Sequence, residues 1–326
     1  MISDHYKYLF RCVQIAKRGG KSVKSNPQVG AVLVYQNRII GEGYHQEYGA
    51  AHAEVNAIRS VSKSYQNLIS ESTLYVSLEP CNHHGKTGPC TDLIIKNYIK
   101  HVVIAAKDPN RSVRSNGLEK LKASGIKVEL LPFDAAYNLI RPFTLGSLNN
   151  LPYVILKFAQ SKDFYIGKEG EQIWITNRYS KHLVHKWRSE IDGIMVGTNT
   201  VLTDNPKLTN RLHPGESPIR IIPDRHSKIN SSHDVLSDDM ETWIYQDTGD
   251  LKSLLQELYT RGISRLMIEG GAKLLKSFIA EKLWHEARIL TGNKTLKSGI
   301  KAPVIKGKLI STQSIGLDTI STVFAP

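Results

Sequence analysis

Cysteine is scarce in this chain: three residues in 326, an odd number. A disulfide framework is therefore not expected, and a reducing cytoplasm is the expected setting. Long apolar runs are missing as well; nothing approaches the roughly 18 consecutive apolar residues of a membrane span. Residues 1–10 carry no basic segment leading into an apolar stretch and no small-residue cleavage site, so no secretory leader is expected. Neither GxGxxG nor a Walker motif occurs, and a Rossmann or P-loop site is without support. No basic run is interleaved with aromatics, so no nucleic-acid platform is expected. The absence of a coiled coil leaves the oligomeric state open, self-association included. Repeats and low-complexity tracts are also lacking.

What is present suits a globular chain: 40% hydrophobic, 22% charged, and long enough for two domains with separate cores. The formal net charge is +13. Its lysines are scattered, which fits a solvated basic surface that also attracts phosphorylated small molecules. In the first half, strands at 29–35, 38–43, 73–78, 101–106 and 126–131 alternate with helices at 51–62, 91–98, 117–123 and 133–143. Strands separated by helices predict a layered α/β domain. Cys12 lies in a helical apolar pattern and reads as a small buried hydrophobe. Around 146–152 a short polar, turn-rich stretch interrupts the pattern, and the boundary is placed there, giving domains 1–148 and 149–326. The second half alternates again: strands at 153–159, 193–196, 219–222, 242–245 and 265–268, helices at 179–189, 251–260 and 272–283. Residues 227–241 read as a loop.

The chemistry concentrates in His52-Ala53-Glu54, Pro80-Cys81 and Cys90. Structural zinc usually takes four protein ligands, whereas catalytic zinc keeps a position open for water. One imidazole, two thiols and a non-ligating carboxylate are what a hydrolytic deaminase needs: zinc acidifies a water and Glu54 shuttles its proton. Base deaminases pair H-x-E with P-C-x-x-C, but here eight residues separate the cysteines. That longer loop, with His83, His84 and Lys86, can wall a pocket and bind a phosphate. Cys81 follows a strand and Cys90 precedes a helix whose first amides favour a thiolate.

Asn26-Pro27-Gln28-Val29-Gly30, His52-Ala53-Glu54-Val55, the stretch from Leu78 to Cys90 and Asp108-Pro109-Asn110 occur in this order. Together they resemble the deaminase half of the bifunctional riboflavin-biosynthesis deaminase/reductase family. That resemblance implies a cytidine-deaminase-like three-layer α/β/α domain. It also implies that Asn26, His83, Lys86, Asp108 and Asn110 hold the pyrimidine and ribose phosphate of 2,5-diamino-6-ribosylamino-4(3H)-pyrimidinone 5′-phosphate. Gly88 departs from the family's usual proline and Ala31 from its common cysteine; neither is a ligand.

In the second half, Glu269-Gly270-Gly271 follows a strand and precedes a helix, where glycines permit close backbone approach to phosphate. The segments 157–163, 174–176, 196–200 and 204–211 are similar, in their order, to the reductase half of the same family. This implies a dihydrofolate-reductase-like α/β domain that uses NADPH. By that resemblance Lys157, Thr176, Arg188, Asp204, Arg211 and Glu269 are substrate-site residues, and Ser161, Trp174, Gly197, Thr200 and Gly270 lie on the cofactor side. Arginines could clamp the phosphate, and a buried acid could polarise an imine nitrogen before hydride transfer. Lys162 and Phe164 replace the family's leucine and glycine, and Phe164 would crowd the cofactor if its turn needs a positive φ.

Two rivals remain at this level. One is a tRNA base deaminase with an accessory RNA-binding domain, disfavoured by the long cysteine loop and the missing aromatic-basic platform. The other is a zinc-stabilised binding module, in which Glu54 would have no use.

Overall fold

The computed structural model describes residues 2–84, 88–110, 116–246 and 250–326. The chain divides into two compact units, Met1–Leu148 and Asn149–Pro326. No helix among the described residues is long and apolar enough to cross a membrane.

The first unit is a five-stranded sheet between two helical layers. Helix α1 (Ile2–Ala16) leads into the hairpin of β1 (Gly30–Tyr35) and β2 (Arg38–Tyr44). Its two-residue turn, Gln36-Asn37, has φ of 45° and 64°, the left-handed pair that matches strand twist. Then follow α2 (Ala53–Arg59), β3 (Thr73–Val76), α3 (Cys90–Lys96), β4 (His101–Ile104), α4 (Gly117–Ala123), β5 (Lys127–Leu130) and α5 (Asp134–Arg141). The strand order is β2-β1-β3-β4-β5, with β3, β4 and β5 parallel. Strand alternation divides the core between the two faces. Leu33, Leu74, Val76, Val102 and Ile104 pack with α2, α3 and α4; Val32, Val34, Tyr75 and Val103 pack with α1 and α5. Cys12 is fully buried in that second cluster, its thiol donating to the Tyr75 carbonyl.

The second unit is built on an eight-stranded sheet. Its elements are β6 (Tyr153–Gln160), β7 (Tyr165–Gly167), α6 (Arg178–Ser189), β8 (Gly193–Met195), α7 (Thr198–Asp204), β9 (Ile219–Pro223) and β10 (Thr242–Tyr245). After them come α8 (Leu251–Thr260), β11 (Arg265–Glu269), α9 (Ala272–Ala280), β12 (Glu286–Thr291), β13 (Ile300–Lys301), β14 (Lys308–Ile315) and β15 (Asp318–Phe324). The order is β10-β9-β8-β11-β6-β12-β15-β14, parallel from β10 to β12 and antiparallel through β15 and β14. Strands β7 and β13 form a small separate ribbon. Val154, Leu156, Phe158 and Ile268 pack with α8 and α9, so Lys157 and Glu269, the alternate positions, project to the opposite face.

Several elements end earlier than the sequence pattern suggests. The helix expected at 51–62 is Ala53–Arg59, because Ser60 turns its hydroxyl onto the Ala57 carbonyl. That expected at 272–283 stops at Ala280, with Lys282 at φ 56°. After Arg141, Pro142 cannot donate to the helix ladder, and the chain continues as one wide turn, Pro142–Gly146. The sequence pattern does not mark β12, β14 and β15, three strands of the sheet. Strand β14 is mostly exposed and polar, leaving no apolar alternation to read. Helix α7 was missed because its Thr198-Asn199-Thr200-Val201 start has poor helix propensity. Asp318, at the start of β15, is 3% exposed. It accepts from the Asn177 amide at 2.7 Å and the Ser180 hydroxyl at 2.6 Å, so this strand clasps the start of α6.

Candidate active sites

In the first unit, α2 begins at an extended cap residue, His52, which sends its imidazole back toward the end of β3. The thiols of Cys81 and Cys90 lie 3.4 Å and 3.3 Å from His52 Nδ1, and the Cys90 amide donates to Cys81 Sγ at 3.4 Å. All three donor atoms are within 4.8 Å of one another. Tetrahedral zinc, with Zn–S near 2.3 Å and Zn–N near 2.0–2.1 Å, calls for a sulfur–nitrogen separation of about 3.6 Å. The donor set and spacing therefore fit zinc with one position left open. Cys81 is drawn down to about 4 by the Cys90 thiol, with His52 and the Cys90 amide adding to the effect. Cys90 is pushed up by that neighbouring thiolate and by burial. Gly117 belongs to the same construction: a Cβ there would sit 1.9 Å from the Pro80 carbonyl oxygen, so α4 approaches the cysteine loop only with glycine.

Glu54 is 3% exposed. Burial raises its pKa, and the Cys81 charge raises it further. Close by, His45 is also 3% exposed, its ring edge-on to His52 at 5.5 Å. Because the Ala51 carbonyl can only accept, His45 Nδ1 is the donor there (3.1 Å), and Nε2 accepts from the Asn26 amide at 3.0 Å. Burial lowers the His45 pKa, and the nearby His52 lowers it further. The contact fixes the Asn26 side chain so that its carbonyl oxygen is the end turned away from His45.

In the second unit, the register of parallel β6 and β11 pairs Lys157 with Glu269. Lys157 Nζ donates to Glu269 at 2.9 Å. Arg188, from α6 on the same face, donates to both Glu269 oxygens at 2.9–3.1 Å and to the Thr209 carbonyl at 3.0 Å. The two cations outweigh burial and hold Glu269 down to about 2. It is a carboxylate at any physiological pH, with the Lys157 ammonium donating to it. Beyond Glu269, Gly270 and Gly271 adopt φ of 85° and 72°. A Cβ on either would meet Thr200, at 3.4 Å and 3.0 Å. Gly197, the cap of α7, accepts from the Thr200 amide at 2.9 Å. Gly197, Thr200, Gly270 and Gly271 thus lie side by side, with no Cβ on three of the four.

Residues 2–106 match the family described as cytidine and deoxycytidylate deaminase zinc-binding region, and residues 152–320 match the RibD C-terminal domain. The riboflavin biosynthesis protein RibD of Aquifex aeolicus is 34% identical over 317 residues, covering 90% of this chain and 88% of its own. The chain belongs to the RibD family. The RibD protein of Escherichia coli is 32% identical, covering 98% of this chain and 92% of its own. Among solved structures, the diaminohydroxyphosphoribosylaminopyrimidine deaminase/5-amino-6-(5-phosphoribosylamino)uracil reductase of Thermotoga maritima superposes with a TM-score of 0.87 at 32% identity, covering 99% of both chains. RibD proteins are bifunctional enzymes of riboflavin biosynthesis, and this chain is one: a zinc-binding deaminase joined to an NADPH-using reductase. The tRNA-deaminase alternative is not favoured, since the second half is a reductase domain.

Seen as a RibD enzyme, the chain brings together most of the residues singled out from sequence. His52, Glu54, Cys81 and Cys90 form one cluster, with Asn26 tied to it through His45. Asp108 has a raised pKa, mainly from burial, and a favourable charge interaction with His83. It also accepts from the Asn110 amide at 2.9 Å, so these three lie together. Lys86 lies outside the described residues. In the second unit Lys157, Arg188 and Glu269 meet, and so do Gly197, Thr200 and Gly270. Ser161 is fully buried and donates to Asp163 at 2.6 Å, anchoring the turn that ends at Phe164. Phe164 does have a positive φ, 64°, but its side chain is 61% exposed. Trp174 is exposed beneath the Lys181 ammonium, and Thr176 is half-buried beside it in sequence. Asp204 and Arg211 are exposed, and no hydrogen bond joins either side chain to the Glu269 cluster among the described residues.

Three residues had no sequence signal strong enough to single them out. His45 is an isolated histidine. Glu79, between β3 and Pro80, accepts from the amides of Asp108 (3.2 Å) and Leu118 (3.0 Å), tying the stretch after β4 and the start of α4 to the cysteine segment. His185 lies one turn before Arg188 on α6, a spacing that marks a shared helix face and nothing about chemistry.

Proposed function

We propose that residues 1–148 deaminate 2,5-diamino-6-ribosylamino-4(3H)-pyrimidinone 5′-phosphate and that residues 149–326 reduce the ribosyl group of the product to a ribityl chain. The carrying observation is the meeting of His52, Cys81 and Cys90 beside Glu54, a buried acid with no Lys or Arg partner among the described residues. His52, Cys81 and Cys90 would hold zinc, which supplies an acidified water as nucleophile. Glu54 takes the proton of the attacking water, gives it to the ring nitrogen and then assists the leaving amine. Asn26, held by His45, presents its carbonyl oxygen to the amino groups of the pyrimidine. Asp108, Asn110 and His83 line the sugar side, and Lys86 takes the phosphate as a point charge.

In the reductase half NADPH supplies the hydride. Gly197, Thr200 and Gly270 form the cleft for its pyrophosphate, with Ser161 and Trp174 flanking it. Glu269 orients Lys157, whose ammonium hydrogen-bonds the imine nitrogen as the hydride arrives. Arg188 has most of its donors committed to Glu269 and Thr209, so it organises the site, whereas exposed Arg211 is the arginine free to meet the substrate phosphate. Thr176 and Asp204 complete the substrate side. The three free cysteines support a cytoplasmic setting. The absence of an aromatic-basic platform supports small-molecule rather than nucleic-acid recognition; self-association is compatible with this reading.

Incubation with the diaminopyrimidine ribosylamine phosphate plus NADPH, following ammonia and NADPH absorbance separately, tests both steps. Ammonia release should precede NADPH loss. Chelation of the metal should stop ammonia release while NADPH oxidation continues on already-deaminated substrate. NADPH consumed without prior ammonia release, or ammonia release indifferent to chelation, would overturn the assignment.

A further inference from the structure

Two side chains one turn apart on α6 grip the same short segment. His185 Nδ1 accepts the Arg211 main-chain N–H at 2.9 Å, and Arg188 donates to the Thr209 carbonyl at 3.0 Å. Asn210, between them, is held from the other direction: its amide N–H donates to Ser217 Oγ at 2.9 Å, and its side chain donates to the carbonyls of His213 and Gly215. Residues 209–211 are thus fixed at every position. Only the Arg211 side chain, steadied by Thr209 Oγ1, is left reaching outward from a rigid backbone.

His185 is 2% exposed. The charged groups facing it are Arg188, Arg211, Glu269 and Lys181; burial and the first two cations bring its pKa down to about 4. Accepting at Nδ1 places the proton of the neutral ring on Nε2. An aliphatic side chain here would leave the Arg211 amide without its acceptor, and a cationic one would add a charge beside three others.

We propose that His185 is a positioning residue for the reductase: it fixes the backbone from which Arg211 meets the phosphate of the substrate. This rests on the reading of Arg211 as a phosphate ligand. The test uses a matched pair of amides in the full chain. His185→Asn puts its carbonyl oxygen where Nδ1 stands, whereas His185→Gln moves it out by one bond. KM and kcat of the reductase step are measured at saturating NADPH with 5-amino-6-(5-phosphoribosylamino)uracil and with its dephosphorylated analogue. Ammonia release by the same protein serves as an internal control.

His185→Gln is expected to raise KM for the phosphorylated substrate roughly five- to tenfold, the range of one lost hydrogen bond. It should leave kcat, the analogue's KM and ammonia release within about twofold of native, and His185→Asn should match native in all of them. Equal KM increases for both substrates, or indistinguishable Asn and Gln variants, would overturn the proposal. Arg211→Ala separates the two levels. If it does not discriminate between the substrates, the phosphate reading of Arg211 falls and the proposal falls with it. If Arg211→Ala discriminates and His185→Gln does not, only the positioning role is lost. Circular dichroism of each variant sets aside gross unfolding.

Discussion

Glu54 and Glu269 stand one in each compact unit, both largely withdrawn from water, and their surroundings drive them in opposite directions. Around Glu54 burial raises the pKa, the Cys81 charge raises it further, and no Lys or Arg among the described residues compensates. Around Glu269 two cations overwhelm the same burial and keep it ionised down to about 2. Burial sets the cost of charge; the neighbours decide whether that cost is met. An acid that must move a proton is left without a lysine or arginine salt bridge, and the ion that His52, Cys81 and Cys90 would hold is the cation beside it. An acid that must hold two cations in place gives up proton transfer altogether.

The largest expected effect breaks the catalytic side of this contrast. Glu54→Gln should lower ammonia release by roughly 10²- to 10⁴-fold, the scale of general acid–base catalysis. Zinc content, thermal stability and NADPH oxidation on deaminated substrate should be retained. Retained ammonia release would remove the proton-carrier role, and loss of both activities in a folded protein would contradict independent sites.

Glu269→Gln should act on stability first. It leaves Lys157 and Arg188 buried without their counter-charge, at a cost of about 3 kcal/mol, seen as a lower denaturant midpoint for the reductase unit. The native protein offers the matching titration. Glu269 has a folded pKa of about 2 against an ordinary value of 4.5, so its stabilisation is complete above pH 4.5 and is lost as pH falls toward 2. His185, lowered to about 4 from 6.5, also resists protonation in the fold and removes stability as pH falls from 6.5 toward 4. The reductase unit should therefore weaken on acidification in two stages, and Glu269→Gln should erase the lower one. An unchanged acid profile in that variant would mean the cluster is not what the titration reports.

The smallest effect concerns the Ser161–Phe164 turn. Phe164 sits in the left-handed region, where an L-residue costs about 1–2 kcal/mol, and its ring faces solvent. Phe164→Gly should raise stability by about 1 kcal/mol and leave the NADPH dissociation constant within about twofold. A large change in cofactor affinity would show that the ring contributes to the cleft.

What the sequence disclosed follows from how local each signal is. His52, Glu54, Cys81 and Cys90 were legible because zinc chemistry restricts residue type and order, and the strands of the first unit because each alternates between two apolar layers. Lys157, Arg188 and Glu269 could be named only through resemblance. What joins them is the register of two strands more than a hundred residues apart, which no local pattern encodes. The strands β12, β14 and β15 escaped for a related reason: β14 is polar and exposed, so the sheet is extended by backbone pairing rather than by side-chain alternation. His45 and His185 were missed because a single histidine carries its role in what its ring nitrogens touch.

The position of β6 has a consequence for the newborn chain. It is the first strand of its unit to be made, and its sheet neighbours are β11 and β12. From Gln160 to Arg265 the ribosome must add about 105 residues (265 − 160) before the first neighbour exists, roughly 5–20 s at ordinary synthesis rates. During that interval Val154, Leu156 and Phe158 have no sheet to enter, while the deaminase unit upstream is already complete. Newly made reductase halves thus keep these apolar side chains unpaired longer than deaminase halves do, and slower translation between residues 160 and 265 should lower the yield of reductase more than that of deaminase.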